Sequence, residues 1–226
     1  MLARVKGKIN KLGFSTYEPT KVFMQQILSS DETEFLDDMM AFVFKKASLE
    51  STFCPLYAKL LHELADEFPH LRVVMHTIFR DYISAFKDVE DGTEAPDVSS
   101  SDYKAFVESQ ERKRARRGYS QFVAELVKHG EADRNAFVAM VAAIVGVIET
   151  HHTNAEKTLV CEEYIDCLSN MCKCASGILS GEECVASLTT RLSDLAAKPR
   201  KDVPGFTNKS RFALMDLVEF ARRGWK

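Results

Sequence analysis

Alternating strand patterns are missing from this 226-residue chain. No segment sustains period-two alternation, and the one Asp-Gly pair, Asp91-Gly92, lies in an acidic stretch rather than between β-branched runs. That argues against a sheet. Long apolar runs are missing too. The longest, AFVAMVAAIVGVI from Ala136 to Ile148, falls short of the roughly 20 residues that a spanning helix needs. The opening MLARVKGKINK has no apolar core of a secretory signal. These absences predict a soluble, cytoplasmic protein with no membrane partner. Neither sign of charge dominates: 30 basic residues face 33 acidic ones, for a net charge of −3. A general polyanion binder is excluded, and any nucleic-acid contact has to come from a local patch. GxxxxGK followed by Ser or Thr, GxGxxG, HExxH and GxSxG are all absent. The expectation is a protein that is not an enzyme and uses no cofactor.

Cysteine is present, but not in a metal-binding pattern. Cys161, Cys167, Cys172 and Cys174 follow one another with five, four and one intervening residues. Structural zinc sites use C-x2-4-C pairs, so buried thiols in a reducing compartment are expected here and no metal site. Adjacent carboxylates such as Asp37-Asp38 and Glu162-Glu163 diverge by about 100° on a helix and read as solvated faces.

Helical spacing fills most of the chain. Phe35, Met39, Phe42 and Val43 share one face of a helix, with Asp31 and Glu34 placed as a capping box. Phe53, Leu56, Tyr57, Leu60, Leu61 and Leu64 share another, with Thr52 as its expected cap. A third helix opens at Pro69. DVEDGTEAPDVSSSD then breaks the pattern as an acidic loop, taken as 88–101. A long helix follows from about Ser101 to His129, stopped by Gly130. Asp133 caps the next, whose apolar run predicts a central position. Further helices are expected over about Glu156–Ala175, from Gly181 to near Lys198, and over about Lys209–Arg223. The prediction is an all-α fold, a single domain over 1–226. Its helices should stack as about five antiparallel pairs in a HEAT-repeat-like α-solenoid.

The stretch ERKRARRGYSQFVAELVKHG raises the one nucleic-acid question. Helical steps put Arg112, Arg116, Lys113, Arg117 and Arg114 at about 0°, 40°, 100°, 140° and 200°. They cover more than half the circumference, so they cannot all touch one partner. Glu108 and Glu111 are spaced to pair with Arg112 and Arg114. Two or three of the five remain as candidates for weak, salt-sensitive phosphate contact with RNA.

Four stretches resemble the middle domain of eukaryotic translation initiation factor 4G. Ile9-Asn10-Lys11-Leu12 followed by Tyr17 resembles the family's LNKLTPxxF, with Gly13-Phe14 in place of Thr-Pro. VFKKASLESTFCPLYA resembles IFEKAxxEPxFxxxYA through Phe44, Lys46, Ala47, Glu50, Phe53, Tyr57 and Ala58; Lys45 stands where the family has Glu. RKRARRGYSQFVAELVK resembles RRRxLGNIxFIGELFK through Gly118, Phe122, Glu125, Leu126 and Lys128, with Tyr119-Ser120 replacing Asn-Ile. NKSRFALMDLVEFARRGW resembles the last family motif through Arg211, Phe212, Leu214, Asp216 and Trp225. The motifs run in order along essentially the whole chain.

This resemblance implies a HEAT-type scaffold that binds a DEAD-box RNA helicase of the initiation factor 4A type and speeds its ATPase cycle. The implied helicase contacts are Asn10, Lys11, Leu12 and Tyr17, with Lys46 in the second motif. A weaker contact would involve Arg211 and Asp216. It also implies RNA binding through basic patches, for which Arg112, Lys113, Arg114, Arg116 and Arg117 are the candidates, and contacts with other initiation factors. A scaffold in mRNA processing or decay and a direct RNA-binding protein are the alternatives. A cap-binding-protein docking motif, Tyr-x4-Leu-apolar, is not matched.

Overall fold

The computed structural model describes residues 1–30, 34–80, 103–179 and 183–226. Among them are ten α-helices and no strand. In chain order they are α1 (Leu2–Ile9), α2 (Tyr17–Leu28), α3 (Leu36–Leu49), α4 (Cys54–Glu67) and α5 (His70–Arg80). Then come α6 (Tyr103–Lys128), α7 (Arg134–His151), α8 (Thr158–Cys174), α9 (Glu183–Ala197) and α10 (Asn208–Arg222). The all-α expectation holds. The acidic stretch 88–101, the Asp31 half of the proposed capping box, Ser101 and Gly181 lie outside the described residues.

Start and stop signals work where the backbone needs them. The Asp133 carboxylate accepts the Ala136 N–H at 2.7 Å and starts α7. Thr207 does the same for α10 through the Ser210 N–H at 3.1 Å. Gly130, with φ of 75°, turns the chain out of α6. Thr52 does not cap α4: the helix begins one residue later, with Phe53 at the capping position and no side-chain bond there.

Each helix contributes its apolar stripe to one of two hydrophobic cores. The first gathers α1 to α5 around Ile9, Met40, Tyr57 and Leu61, all at most 1% exposed. The Tyr57 hydroxyl donates to Glu50 Oε2 at 2.7 Å and lies 3.4 Å from the Ile9 carbonyl, tying α4 to the end of α3 and to α1. The second core gathers α7 to α10 around Phe137, Ile144, Tyr164 and Leu168. Helix α6 belongs to both. It sends Phe122 and Leu126 into the first core and Val123, Ala124 and Val127 into the second. Phe44 of α3 meets Phe122 edge-on at a centroid distance of 4.7 Å.

The central position expected for the apolar run of α7 therefore goes to α6. Helix α7 buries Phe137, Val141, Ile144 and Ile148, but Ala136, Ala139 and Ala143 face outward. Alanine is small enough to be exposed at little cost, so an apolar sequence all round did not require burial all round. By length and composition alone, α7 also reaches what a short membrane span needs, contrary to the expectation from its apolar run.

The cysteines follow the thiol reading. Cys54, Cys161, Cys167 and Cys172 are buried and Cys174 is half-buried. Burial pushes the Cys161 thiol up to about 11 and that of Cys167 up to about 12, so both stay protonated near neutral pH.

The tightest constraint lies where α6 crosses α3. A Cβ placed on Gly118 would sit 1.7 Å from the Ser48 carbonyl oxygen. Gly118→Ala is expected to cost about 3 kcal/mol or more, at the upper end of overpacking effects, because the obstacle is backbone and cannot rotate away. Urea unfolding checks it; a loss under 1 kcal/mol would mean that α3 and α6 can separate freely.

Candidate functional site

The basic cluster of α6 is mostly spent inside the fold. Arg116 is only 4% exposed, and its guanidinium donates to Glu163 Oε2 of α8 at 3.2 Å. Lys113 reaches the other oxygen of the same carboxylate at 3.4 Å. Arg117 pairs with Asp166 at 2.5 Å. Lys209 of α10 bridges Glu162 and Asp166, each at 2.8 Å. Arg114 turns away to the Leu49 carbonyl at 2.8 Å, and Arg112 is half-buried and also engaged. The 100° arc from Arg116 to Arg117 thus faces the carboxylates of α8 across a groove of about 300 Å³. Glu162 and Glu163, read from sequence as a solvated face, are the partners that sequence reasoning missed. Their signal is acid at positions 162, 163 and 166 on a helix that also carries a buried stripe.

These pairs are unequal in energy. Arg117 and Lys209 are more than half exposed, and such pairs contribute about 0–1 kcal/mol. Removing Arg116 instead leaves the buried Glu163 carboxylate with only the longer contact to Lys113 at 3.4 Å. Arg116→Ala is expected to cost about 3–5 kcal/mol and Arg117→Ala less than about 1 kcal/mol, read as the shift in the urea midpoint.

The N-terminal motif divides into supports and displayed groups. Leu12 and Tyr17 are each 5% exposed. The Tyr17 hydroxyl donates to Glu63 Oε2 at 3.0 Å, Lys21 pairs with the same oxygen at 2.8 Å, and the Lys59 ammonium sits 4.8 Å from the Tyr17 ring centre. Although burial works against ionisation of Glu63, the bonds from Lys21 and Tyr17 hold its carboxyl below the usual carboxylate range. The Thr16 hydroxyl donates to the Lys11 carbonyl at 2.6 Å and accepts the Gly13 N–H at 2.9 Å, which closes the turn. Asn10, Lys11 and Phe14 are left exposed on it; Phe14 is 75% exposed and leans on Phe53 at 6.1 Å.

Lys46 is half-buried and bonds to Glu50, the acceptor of Tyr57. It supports the α3–α4 corner. At the other end, Arg211 is half-buried and donates to the Lys198 carbonyl at 3.2 Å, while Asp216 is exposed. Phe212 and Met215, which the helical pattern places on an apolar face, are 66% and 52% exposed beside it. The two implied helicase contacts belong to different cores and do not form one site.

A third cluster joins α4, α5 and the turn after α6. The Glu131 carboxylate is almost fully buried; it binds His62 Nδ1 at 2.7 Å and Arg72 Nε at 3.1 Å. Arg72 also donates to Asp66 at 2.6 Å. His62, Asp66 and Glu131 have the chemistry of a metal-ligand set. The Arg72 guanidinium already bridges both carboxylates, so a fixed cation balances them. His129 stacks on His62 at 5.2 Å.

No family model matches the chain. It is 24% identical over 232 residues to a von Willebrand factor A domain-containing protein of Dictyostelium discoideum. That match takes in all of this chain and spans about a tenth of the relative's length.

Burial, with a lesser effect of His62, holds the His129 imidazole below its usual pKa, so the fold favours its neutral form. Its contribution is complete above about pH 6.5 and is lost as pH falls through the lowered folded value. Stability is therefore expected to decline as pH falls below about 6.5, and His129→Gln to flatten that decline. Equal slopes in the two proteins would assign the decline to other groups.

Proposed function

We propose that the chain is a cytoplasmic scaffold, without catalysis of its own, that binds and stimulates a DEAD-box RNA helicase of the initiation factor 4A type. One observation carries the reading: the four motifs resembling the initiation factor 4G middle domain leave a displayed group at each end of the helical array. Asn10 and Lys11 stand on the first core; Phe212, Met215 and Asp216 stand on the second. Two separated contacts are what a scaffold needs to hold two helicase lobes in a fixed relation.

The packing order supports a HEAT-type solenoid of five helix pairs. Helices α1, α3, α6, α8 and α10 contact one another in succession. Beside them, α2 packs on α4 and α7 on α9. Four pairs, α1–α2, α3–α4, α7–α8 and α9–α10, are in direct contact among the described residues. A row of stacked pairs presents extended surfaces rather than a pocket, which suits a partner larger than the domain. Accessory RNA binding through phosphate contacts and contacts with other initiation factors belong to the same proposal. The 112–117 cluster has only a minor share in it, since Lys113, Arg116 and Arg117 are already paired with carboxylates of α8 and Arg114 with the Leu49 carbonyl.

Lys45, exposed on α3 where the family carries Glu, favours one other assignment: a related helicase scaffold in mRNA processing or decay. Affinity purification from the cell of origin separates them by the helicase retained. With the cognate initiation helicase, the chain is expected to raise RNA-dependent ATPase severalfold. Asn10→Ala with Lys11→Glu should weaken binding by tenfold or more, and Asp216→Lys should have a smaller effect. Absence of binding to every initiation helicase of that cell at micromolar concentration would overturn the proposal.

A further inference from the structure

The first seventeen residues hold Arg4, Lys6, Lys8 and Lys11 and no carboxylate; the first acidic residue is Glu18. On α1, Arg4 and Lys8 are one turn apart, and Lys11 continues the row just past the helix end. All three are exposed. Arg4 and Lys8 flank the ring of Phe23, at 5.7 and 5.4 Å from its centre. Lys6 lies on the opposite side of the helix, against Phe42 at 5.5 Å. Among the described residues, none of these four cations has a carboxylate within ion-pair distance. That sets them apart from Lys113, Arg116, Arg117 and Lys209, which are all paired with α8.

We infer that α1 and the turn after it form a binding surface for single-stranded RNA, with Arg4, Lys8 and Lys11 on successive phosphates and Phe14 as a stacking platform for a base. A cation with no carboxylate partner has no ion pair to break when a phosphate arrives and releases mainly water and counterions. A cation already paired with a carboxylate has to break that pair first, so the free row binds better than the larger cluster on α6. The two faces of α1 decide what kind of polyanion it takes. Val5 and Ile9, its apolar side, are fully buried in the first core and cannot insert into a lipid surface. The row ends three residues before an aromatic ring that is 75% exposed. Cations leading to an exposed ring are the combination that single-stranded nucleic acid uses. The flanking of Phe23 also steadies Arg4 and Lys8, reducing the side-chain freedom lost on binding.

This assignment deepens the RNA-binding part of the proposed function and rests on it, while the helicase part is measured separately. The test titrates the full chain into a fluorescein-labelled 20-mer of oligouridylate, followed by anisotropy at several salt concentrations. The unaltered protein should bind at 50 mM KCl, with log affinity falling against log salt at a slope of about −2 for three phosphates. Arg4→Gln/Lys8→Gln/Lys11→Gln should weaken binding at least tenfold and flatten that slope. Phe14→Ala should weaken it about fivefold with the slope unchanged. Arg114→Gln/Arg117→Gln should stay within twofold. Matching thermal melts establish that the exposed α1 substitutions leave the fold intact. In the helicase assay, Arg4→Gln/Lys8→Gln should lower RNA affinity and keep ATPase stimulation, since neither residue lies in the helicase motif. Full RNA binding without any ATPase stimulation would sink the helicase reading and leave this one standing. The inference is overturned by no binding of the unaltered protein at 50 mM KCl, or by binding that follows Arg114 and Arg117 instead of α1. Phosphatidylserine vesicles that bind the chain without competition from the oligonucleotide would also overturn it.

Discussion

Helix α6 passes Ser48 with its backbone almost in contact, because position 118 carries no side chain. From that close approach follows the placing of Phe122 against Phe44, and of Val123, Ala124 and Val127 on the opposite side. One helix thereby becomes a wall for two cores. Had α6 stood off by the width of a methyl group, the stripe into the first core would lose its packing, because a void leaves its lining without partners. The Arg116–Glu163 pair acts on the other side of the same helix and fixes α8 against it. Shape on one face and charge on the other hold α6 in place.

Charge is used differently along the chain. Around α6, α8 and α10, basic and acidic side chains from three helices satisfy each other, and the one truly buried pair sits at the bottom of that network. Such a pair does little to increase stability relative to an apolar replacement, but its half-removal is costly. Around α1, by contrast, the cations rest on aromatic rings and keep their charge available. The same residue types are structural in one place and displayed in another. The difference lies in what the neighbouring helix presents.

Much of the fold is legible in the sequence because helices advertise themselves locally. Apolar spacing located every described helix from α3 onward, and Asp133 and Gly130 marked real boundaries. What failed was information that no single helix contains. The apolar run of α7 looks central, yet alanines on its outer face need no cover. Phe212 and Met215 keep helical spacing and still face outward, since no described helix packs over that side of α10. Glu163 is buried because Arg116 comes from a helix 47 positions away, a pairing that neither segment reveals alone. Of the candidate contact residues, Asn10, Lys11 and Asp216 are exposed, whereas Leu12 and Tyr17 are buried and Lys46 is half-buried. Helical geometry fixes which way a side chain leaves its own axis; whether anything meets it depends on the next layer.

The C-terminal tryptophan has a practical consequence. Trp225 is the only indole in the chain, is 3% exposed, and meets Phe220 edge-on at 5.9 Å. Its carbonyl accepts the Gly177 N–H and the Ser176 hydroxyl, which anchors it to the end of α8. Its emission therefore watches only the second core, whereas helical circular dichroism watches both. The chain thus carries its own optical gauge of how firmly α6 couples its two halves: coincident curves mean one cooperative body, and separated curves mean that the wall between the cores can give way on one side first.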